Sequence, residues 1–269
     1  MASFKELEHK GWVGKARFYD DHFAGVTRQA IDPIIDCLGD ISGCRLIDVC
    51  CGTGELADAA VHFGAQVTGV DFAEPMVDFA RARVPAGQFE VGDAENLDFE
   101  DSSFEAAICA FGVWHVGNPD KAISEAARVL KPSGTYTYTA WLPPDEGWDM
   151  MGLLMEAISK HGTMDVDLPP APPPFRFALV SEAETALRAC GFGSVAFEKR
   201  VAIWHGQSGD DLLDLLYKGI VRAPMLIDAQ RPDAKRAIVN HLKSGTEAFR
   251  DADGIKMRWP YLLAHATKS

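Results

Sequence analysis

Apolar residues along this chain alternate between short unbroken runs and stretches of helical spacing. Residues 44–49 form a continuous run that predicts a buried strand. It empties into Cys50-Cys-Gly-Thr-Gly54, and from Glu55 onward Leu56, Ala59, Ala60 and Phe63 fall at i, i+3, i+4 and i+7, the signature of an amphipathic helix. The same alternation continues. A helix over 31–38 precedes the first strand; a strand over 66–71 leads into a helix near Pro75 that buries Met76, Phe79 and Ala80. Strands follow over 88–91 and 106–111. A helix opening at Asn118-Pro119, burying Ile123, Ala126, Ala127 and Leu130, is ended by Lys131-Pro132 before a fifth strand over 134–141. Five strands separated by helices or long crossovers predict an α/β fold, a parallel sheet wound on both faces.

Beyond residue 141 the alternation loosens. Residues 142–178 hold a helix with Met151, Leu154, Met155 and Ile158 at helical spacing, then Leu168-Pro-Pro-Ala-Pro-Pro-Pro174, an extended polyproline-type linker. Ser181-Glu-Ala-Glu184 has the form of a capping box for a helix burying Ala183, Ala186, Leu187 and Cys190 and closed by Gly191. A strand over 194–204, helices over 210–220 and 233–249 and a last strand over 255–267 complete the chain. We therefore expect one domain over 1–269, with insertions at 142–178 and 205–252. Residues 1–25, with Trp12, Phe18, Tyr19, His22 and Phe23, are either a helix packed on the sheet or a lid over a ligand. The segments the sheet does not need are expected to cap its C-terminal edge over a largely apolar pocket.

Charge and composition narrow the function. With 26 Lys and Arg against 39 Asp and Glu, the net charge of −13 would repel a phosphate backbone, which excludes nucleic acid as the expected partner. The N-terminus lacks an apolar signal region and no run approaches about 18 apolar residues, so no membrane span and a cytoplasmic location are expected. The six cysteines lack metal-ligand spacing and read as small buried hydrophobes in a reducing compartment, with no metal expected.

Gly52-Thr-Gly-Glu-Leu-Ala57 fits the G-x-G-x-x-A pattern of dinucleotide turns, and Asp71, about twenty residues after the strand, suits ribose hydroxyls. Asp48, just before the turn, is unfavourable for a pyrophosphate and favourable for an ammonium or sulfonium. Adenosine hydroxyls for Asp71 and a cationic amino-acid tail for the Asp48 turn together describe S-adenosylmethionine.

With Asp48-Val-Cys-Cys-Gly-Thr-Gly54, Gly69-Val-Asp71, Gly92-Asp93-Ala94 and Arg128-Val-Leu-Lys-Pro-Ser-Gly134 in that order, the chain resembles the class I S-adenosylmethionine-dependent methyltransferases over about residues 44–141. Within that class it is most similar to the ubiquinone and menaquinone C-methyltransferase group. The resemblance implies a Rossmann-like, doubly wound seven-stranded sheet with its last strand antiparallel, here with helical cap insertions. It implies that Gly52 and Gly54 pass close to the methionine portion, Asp71 binds the ribose, Phe72 and Met76 flank the adenine, and Asp93 with Ala94 reads its amino edge.

After the fourth strand, where the quinone enzymes usually carry Arg-Asn, this chain has Trp114-His115. A His at the edge where open α/β sheets bind substrate could serve as general base; it could equally hydrogen-bond the cofactor or backbone. Tyr19, Trp12, Trp141, Phe175 and Trp204 are aromatic candidates for the pocket, Tyr19 on the cofactor side and the others around the acceptor. The expected activity is O-methylation of a small-molecule acceptor. The alternatives are C- or N-methylation of a quinone-like or heterocyclic acceptor, an NAD-dependent oxidoreductase, which leaves Asp48 and Asp93-Ala94 without a role, and a cofactor-binding protein without catalysis.

Overall fold

The computed structural model describes residues 2–269 and divides them into two compact units. One, the sheet unit, comprises Thr27–Trp141, Ala171–Arg200 and Tyr261–Ser269. The other, the helical unit, comprises the chain up to Val26 together with Leu142–Pro170 and Val201–Pro260.

The sheet follows the order β3-β2-β1-β4-β5-β8-β6, where β1 is Arg45–Val49, β2 Gln66–Asp71, β3 Gln88–Val91, β4 Phe104–Ala110, β5 Leu130–Trp141, β6 Phe192–Gly206 and β8 Gly254–Lys268. The five strands β1 to β5 pair in parallel, and the last strand, β8, runs antiparallel to β5, with Trp141 opposite Tyr261. A two-residue strand β7, Arg250–Asp251, pairs only with β8, so the expected seven-stranded path carries one short extra ribbon. Leu46, Ile47 and Ile108 are wholly buried, as central parallel strands covered on both faces require, and that is why these strands read as apolar runs.

Several local expectations are corrected. The helix Pro119–Val129 stops before Lys131-Pro132, because Leu130 is already extended (φ −76°, ψ 139°) and both residues lie inside β5. A proline disfavours helical geometry in the residue before it, here Lys131, which keeps the helix from running past Leu130. The Ser181-Glu184 capping box does not form. A 3₁₀ turn at Arg176–Ala178 delivers Leu179 to the cap position, the Ala183 N–H donates to the Leu179 carbonyl, and Ser181 lies inside the helix Val180–Ala189.

The helical unit opens with Phe4–His22, whose capping box is formed by Ser3 and Glu6: the Ser3 hydroxyl accepts the Glu6 N–H and the Glu6 carboxylate accepts the Ser3 N–H. The helices Asp149–His161 and Pro232–Gly245 pack together, Leu153 lying where a Cβ on Gly245 would come within 2.4 Å of it. The single helix expected over 210–220 is a short α-helix, Gly209–Asp214, continued as a π-turn, Leu215–Gly219, and a further helix, Arg222–Asp228, follows. Among the described residues no helix is long and apolar enough to cross a membrane.

Candidate functional site

The chain leaves β1 through a turn in which Cys50 (φ 61°), Gly52 (φ 53°) and Gly54 (φ 82°) all take left-handed conformations. Glycine adopts that region without the steric cost borne by residues with a Cβ. At Gly54 there is a second reason, since a Cβ there would lie 2.9 Å from the Ala80 Cβ and 3.0 Å from the Ala80 Cα. The helix Glu74–Arg83 therefore approaches the turn as closely as it does because residue 54 has no side chain. At Gly52 the opposite holds: a Cβ would meet no protein atom within 4 Å, so this backbone faces open space and a ligand can come against it.

Asp71, at the end of β2, fastens the turn. Its Oδ2 accepts the Gly52 N–H at 3.0 Å and its Oδ1 accepts the Ala73 N–H at 2.9 Å, while the Cys51 N–H donates to the Val70 carbonyl at 3.0 Å. Sequence reading assigned Asp71 to a ribose. The structure shows that it ties the glycine turn to the neighbouring strand. The turn is held from outside by Arg83, whose Nη1 donates to the Thr53 carbonyl at 2.7 Å and hydroxyl at 2.9 Å, and by Glu55, which pairs with Arg28. Arg83, Thr53, Arg28 and Glu55 were not singled out from the sequence; charges three or more elements apart carry no periodic signal.

Asp48 lies beneath this turn on β1. It is 1% exposed, and its Oδ2 is buried without a hydrogen-bond partner. Burial, and then the negative charge of Asp71, push its carboxyl well above the usual carboxylate range. A buried acceptor without a donor costs about 1–3 kcal/mol, so this atom suits a cationic or donor group of a ligand arriving at the turn.

The next strand end forms a tight loop. The Gly92 N–H donates to the Asp71 carbonyl at 3.0 Å, Asp93 Oδ1 accepts the Glu95 N–H at 3.0 Å, and the Asn96 N–H returns to the Asp93 carbonyl at 2.9 Å. Ala94 is buried in this loop, Phe72 is half-buried after β2, and Met76 is buried in the following helix. Glu95, also not foreseen, accepts the Gly117 N–H at 2.8 Å and so links this loop to the one that carries Trp114 and His115.

Past β4, Phe111 holds a left-handed conformation (φ 58°) and stacks on Trp141, ring centroids 3.9 Å apart and planes 14° from parallel, with Tyr261 edge-on at 5.5 Å. Its N–H donates to the Thr139 hydroxyl at 3.0 Å. A Cβ on the next residue, Gly112, would sit 2.4 Å from the Cys50 Cβ, so the β1 and β4 exits are in direct contact. His115, half-buried, closes the turn through its N–H to the Gly112 carbonyl at 2.9 Å, and Trp114 meets Phe175 edge-to-face at 5.1 Å.

Asp48, Gly52, Gly54, Asp71, Phe72, Met76, Asp93, Ala94, His115, Trp141 and Phe175 thus all belong to the sheet unit, most of them on the segments that follow β1, β2, β3 and β4. Trp12, Tyr19 and Trp204 belong to the helical unit. There Trp12 contacts Tyr19 edge-to-face at 5.9 Å and Trp204 is buried.

A methyltransferase-domain family profile matches residues 47–138. The chain is 35% identical over 123 residues to a demethylmenaquinone methyltransferase of Renibacterium salmoninarum, covering 46% of this chain and 52% of that protein. It is 34% identical over 140 residues to a ubiquinone biosynthesis O-methyltransferase of Paracidovorax citrulli, covering 50% and 58% respectively. The chain spans about half the length of these curated relatives. Among solved structures, the YcgJ protein of Bacillus subtilis aligns with a TM-score of 0.59 at 19% identity, over 90% of this chain and 98% of that one. A Haemonchus contortus phosphoethanolamine N-methyltransferase in complex with S-adenosyl-L-methionine aligns with a TM-score of 0.57 at 20% identity, over 100% of this chain and 60% of its own.

Proposed function

Since the chain carries a methyltransferase domain, matched over residues 47–138 within the class I methyltransferase fold, we propose that it transfers a methyl group from S-adenosylmethionine to a small-molecule acceptor. The observation that carries this reading is the buried, unpartnered Asp48 Oδ2 beneath a glycine turn whose backbone faces open space. A pyrophosphate would bring negative charge toward the Asp71 carboxylate and oppose ionisation of Asp48, whereas the cationic end of S-adenosylmethionine brings the opposite sign. In this reading Gly52 and Gly54 let the methionine portion approach the backbone, Asp71 takes the ribose hydroxyls, and Phe72 and Met76 flank the adenine. Asp93 and the Ala94 backbone take its amino edge.

The cofactor supplies a methyl group already activated by its sulfonium, so the protein's contribution is chiefly alignment and exclusion of water. We place the acceptor beside the Trp114-His115 loop. His115 can accept a proton from a hydroxyl there, which favours O-methylation of a phenolic or similar acceptor. A second reading, transfer to carbon or nitrogen of a quinone-like or heterocyclic ring, is favoured by the similarity to the demethylmenaquinone enzyme.

Two measurements test this. Calorimetry with S-adenosylmethionine and with NADH is expected to show binding of the first; binding of NADH alone would sink the proposal. Incubation with methyl-labelled cofactor and fractionated cell extract is expected to label a small molecule, and the labelled atom decides between O-, C- and N-transfer.

A further inference from the structure

Two carboxylates stand at the ends of adjacent strands, and the structure treats them unequally. Asp71 receives two backbone N–H donors, from Gly52 and Ala73, both of which favour its charged form. Asp48 is 1% exposed, pairs across the sheet with Gly69 on one side and Ile108 on the other, and leaves Oδ2 without a donor. The titratable neighbours facing it are Asp71 on β2 and the Cys51 thiol in the turn. That thiol is itself pushed well up, by burial first and then by the charges of Asp71 and Asp48. On β4 its partner Ile108 brings no charge. Two neighbouring carboxylates of this kind do not both ionise readily; the one with the hydrogen-bond donors keeps the charge.

We propose that Asp48 carries a proton in the cofactor-free protein and releases it when the cationic portion of the cofactor docks against the glycine turn, making binding proton-linked. The inference rests on the cofactor reading above and adds the state of one residue. The balance is one O–H bond broken on the Asp48 carboxyl, the proton passing to solvent, and a carboxylate left facing the ligand's positive charge. The upward displacement of the Asp48 carboxyl, caused by burial and by Asp71, is in the direction this requires. Affinity should then rise with pH in the range where free Asp48 is protonated, by as much as tenfold per pH unit for a single released proton.

The test is calorimetric titration of the whole protein with S-adenosylmethionine below about pH 7, where an α-amino group of ordinary pKa stays protonated, in buffers of different ionisation enthalpy. A net release of protons by the wild type, absent in Asp48→Asn, is the expected result. Binding without proton release by the wild type overturns the inference and leaves the cofactor reading standing, whereas no binding at all overturns that reading. Parallel titrations use S-adenosylhomocysteine, which keeps the ammonium but lacks the sulfonium, and methylthioadenosine, which lacks both. Release with the first two ligands assigns the effect to the ammonium, and release with S-adenosylmethionine alone assigns it to the sulfonium. Equal release with methylthioadenosine would overturn the role of charge. If Asp48→Asn does not fold, infrared difference spectra of the wild type decide: loss of a protonated-carboxyl stretch on adding cofactor supports the proposal, and an unchanged carbonyl region overturns it.

Discussion

The exits of β1 and β4 touch each other through Cys50 and Gly112, yet they are built on different physics. The β1 exit is a backbone device: left-handed Gly52 and Gly54, an acid on the next strand accepting two N–H groups, and Asp48 left without a donor. The β4 exit is a side-chain device, with Phe111 in a left-handed conformation, stacked on Trp141 and capped by Tyr261. The first constrains residue identity at each position. The second demands only that flat rings fill the space. Under the proposed function, the first kind of site suits a cofactor that does not vary, and the second suits an acceptor that can be accommodated by varying the rings.

The largest expected effect separates chemistry from packing at the β4 exit. If His115 is the base of an O-methyl transfer, His115→Gln lowers kcat by roughly 10²–10⁴-fold with KM little changed. Steady-state kinetics over a pH series checks this. A fall in kcat/KM confined to KM would instead make His115 a binding group.

Next is Phe111. Its left-handed backbone costs about 1–2 kcal/mol relative to glycine, but burying and stacking a phenyl ring is worth more, since Phe→Ala in a core costs about 3–5 kcal/mol. The packing term wins, so Phe111→Gly should still destabilise the protein, by about 2 kcal/mol after the backbone strain is relieved. Phe111→Ala keeps the strain and loses the ring, and should be the worse of the two. Denaturant unfolding of both variants checks the order; a more stable Phe111→Gly would mean the ring is held for the acceptor rather than for the core.

How much of this was legible in the sequence follows the same divide. The strands and the residues of the glycine turn could be read because period, glycine and strand-end carboxylates are local signals, whereas the antiparallel direction of the last strand was implied only by the family resemblance. The bond from the Gly52 N–H to Asp71 could not, because that partner is fixed only when β1 and β2 lie side by side. Arg83, which clamps Thr53 from the helix that follows β2, is invisible for the same reason. At the β4 exit Trp141 was marked as an acceptor contact from its type alone, and its stacking partner Phe111 was passed over, because nothing in a run of apolar residues announces a positive φ. The capping box at Ser181 misled because the 3₁₀ turn at Arg176–Ala178 starts the helix earlier than the motif would.

Asp71 and Asp48 then sharpen the comparison within the β1 exit. Asp71→Asn keeps an acceptor for one N–H but presents an amide donor toward the other, and hydrogen bonds to a charged acceptor contribute about 1.5–3 kcal/mol. A stability loss of about 2 kcal/mol and a weakening of cofactor binding are expected, measured by thermal unfolding with and without S-adenosylmethionine.

Asp48→Asn should relieve a pH-dependent loss in the cofactor-free protein. The folded-state carboxyl is pushed up by burial and by Asp71, so between the ordinary Asp value near 4 and the raised folded value the native state binds more protons than the unfolded chain. Stability contributed by this group is therefore fully present below about pH 4 and is lost as pH rises through that window. Asparagine has no proton to lose and escapes the loss. The variant should accordingly lose less stability than wild type as pH rises from about 4 to about 7, the gap between the two widening with pH. Thermal unfolding of the cofactor-free proteins across that range checks it. A gap that stays constant with pH would show that the buried amide, rather than the carboxyl proton, governs the difference. With saturating cofactor the wild type should gain more stability than the variant, because the ligand's positive charge stabilises the carboxylate and offers the neutral amide nothing comparable.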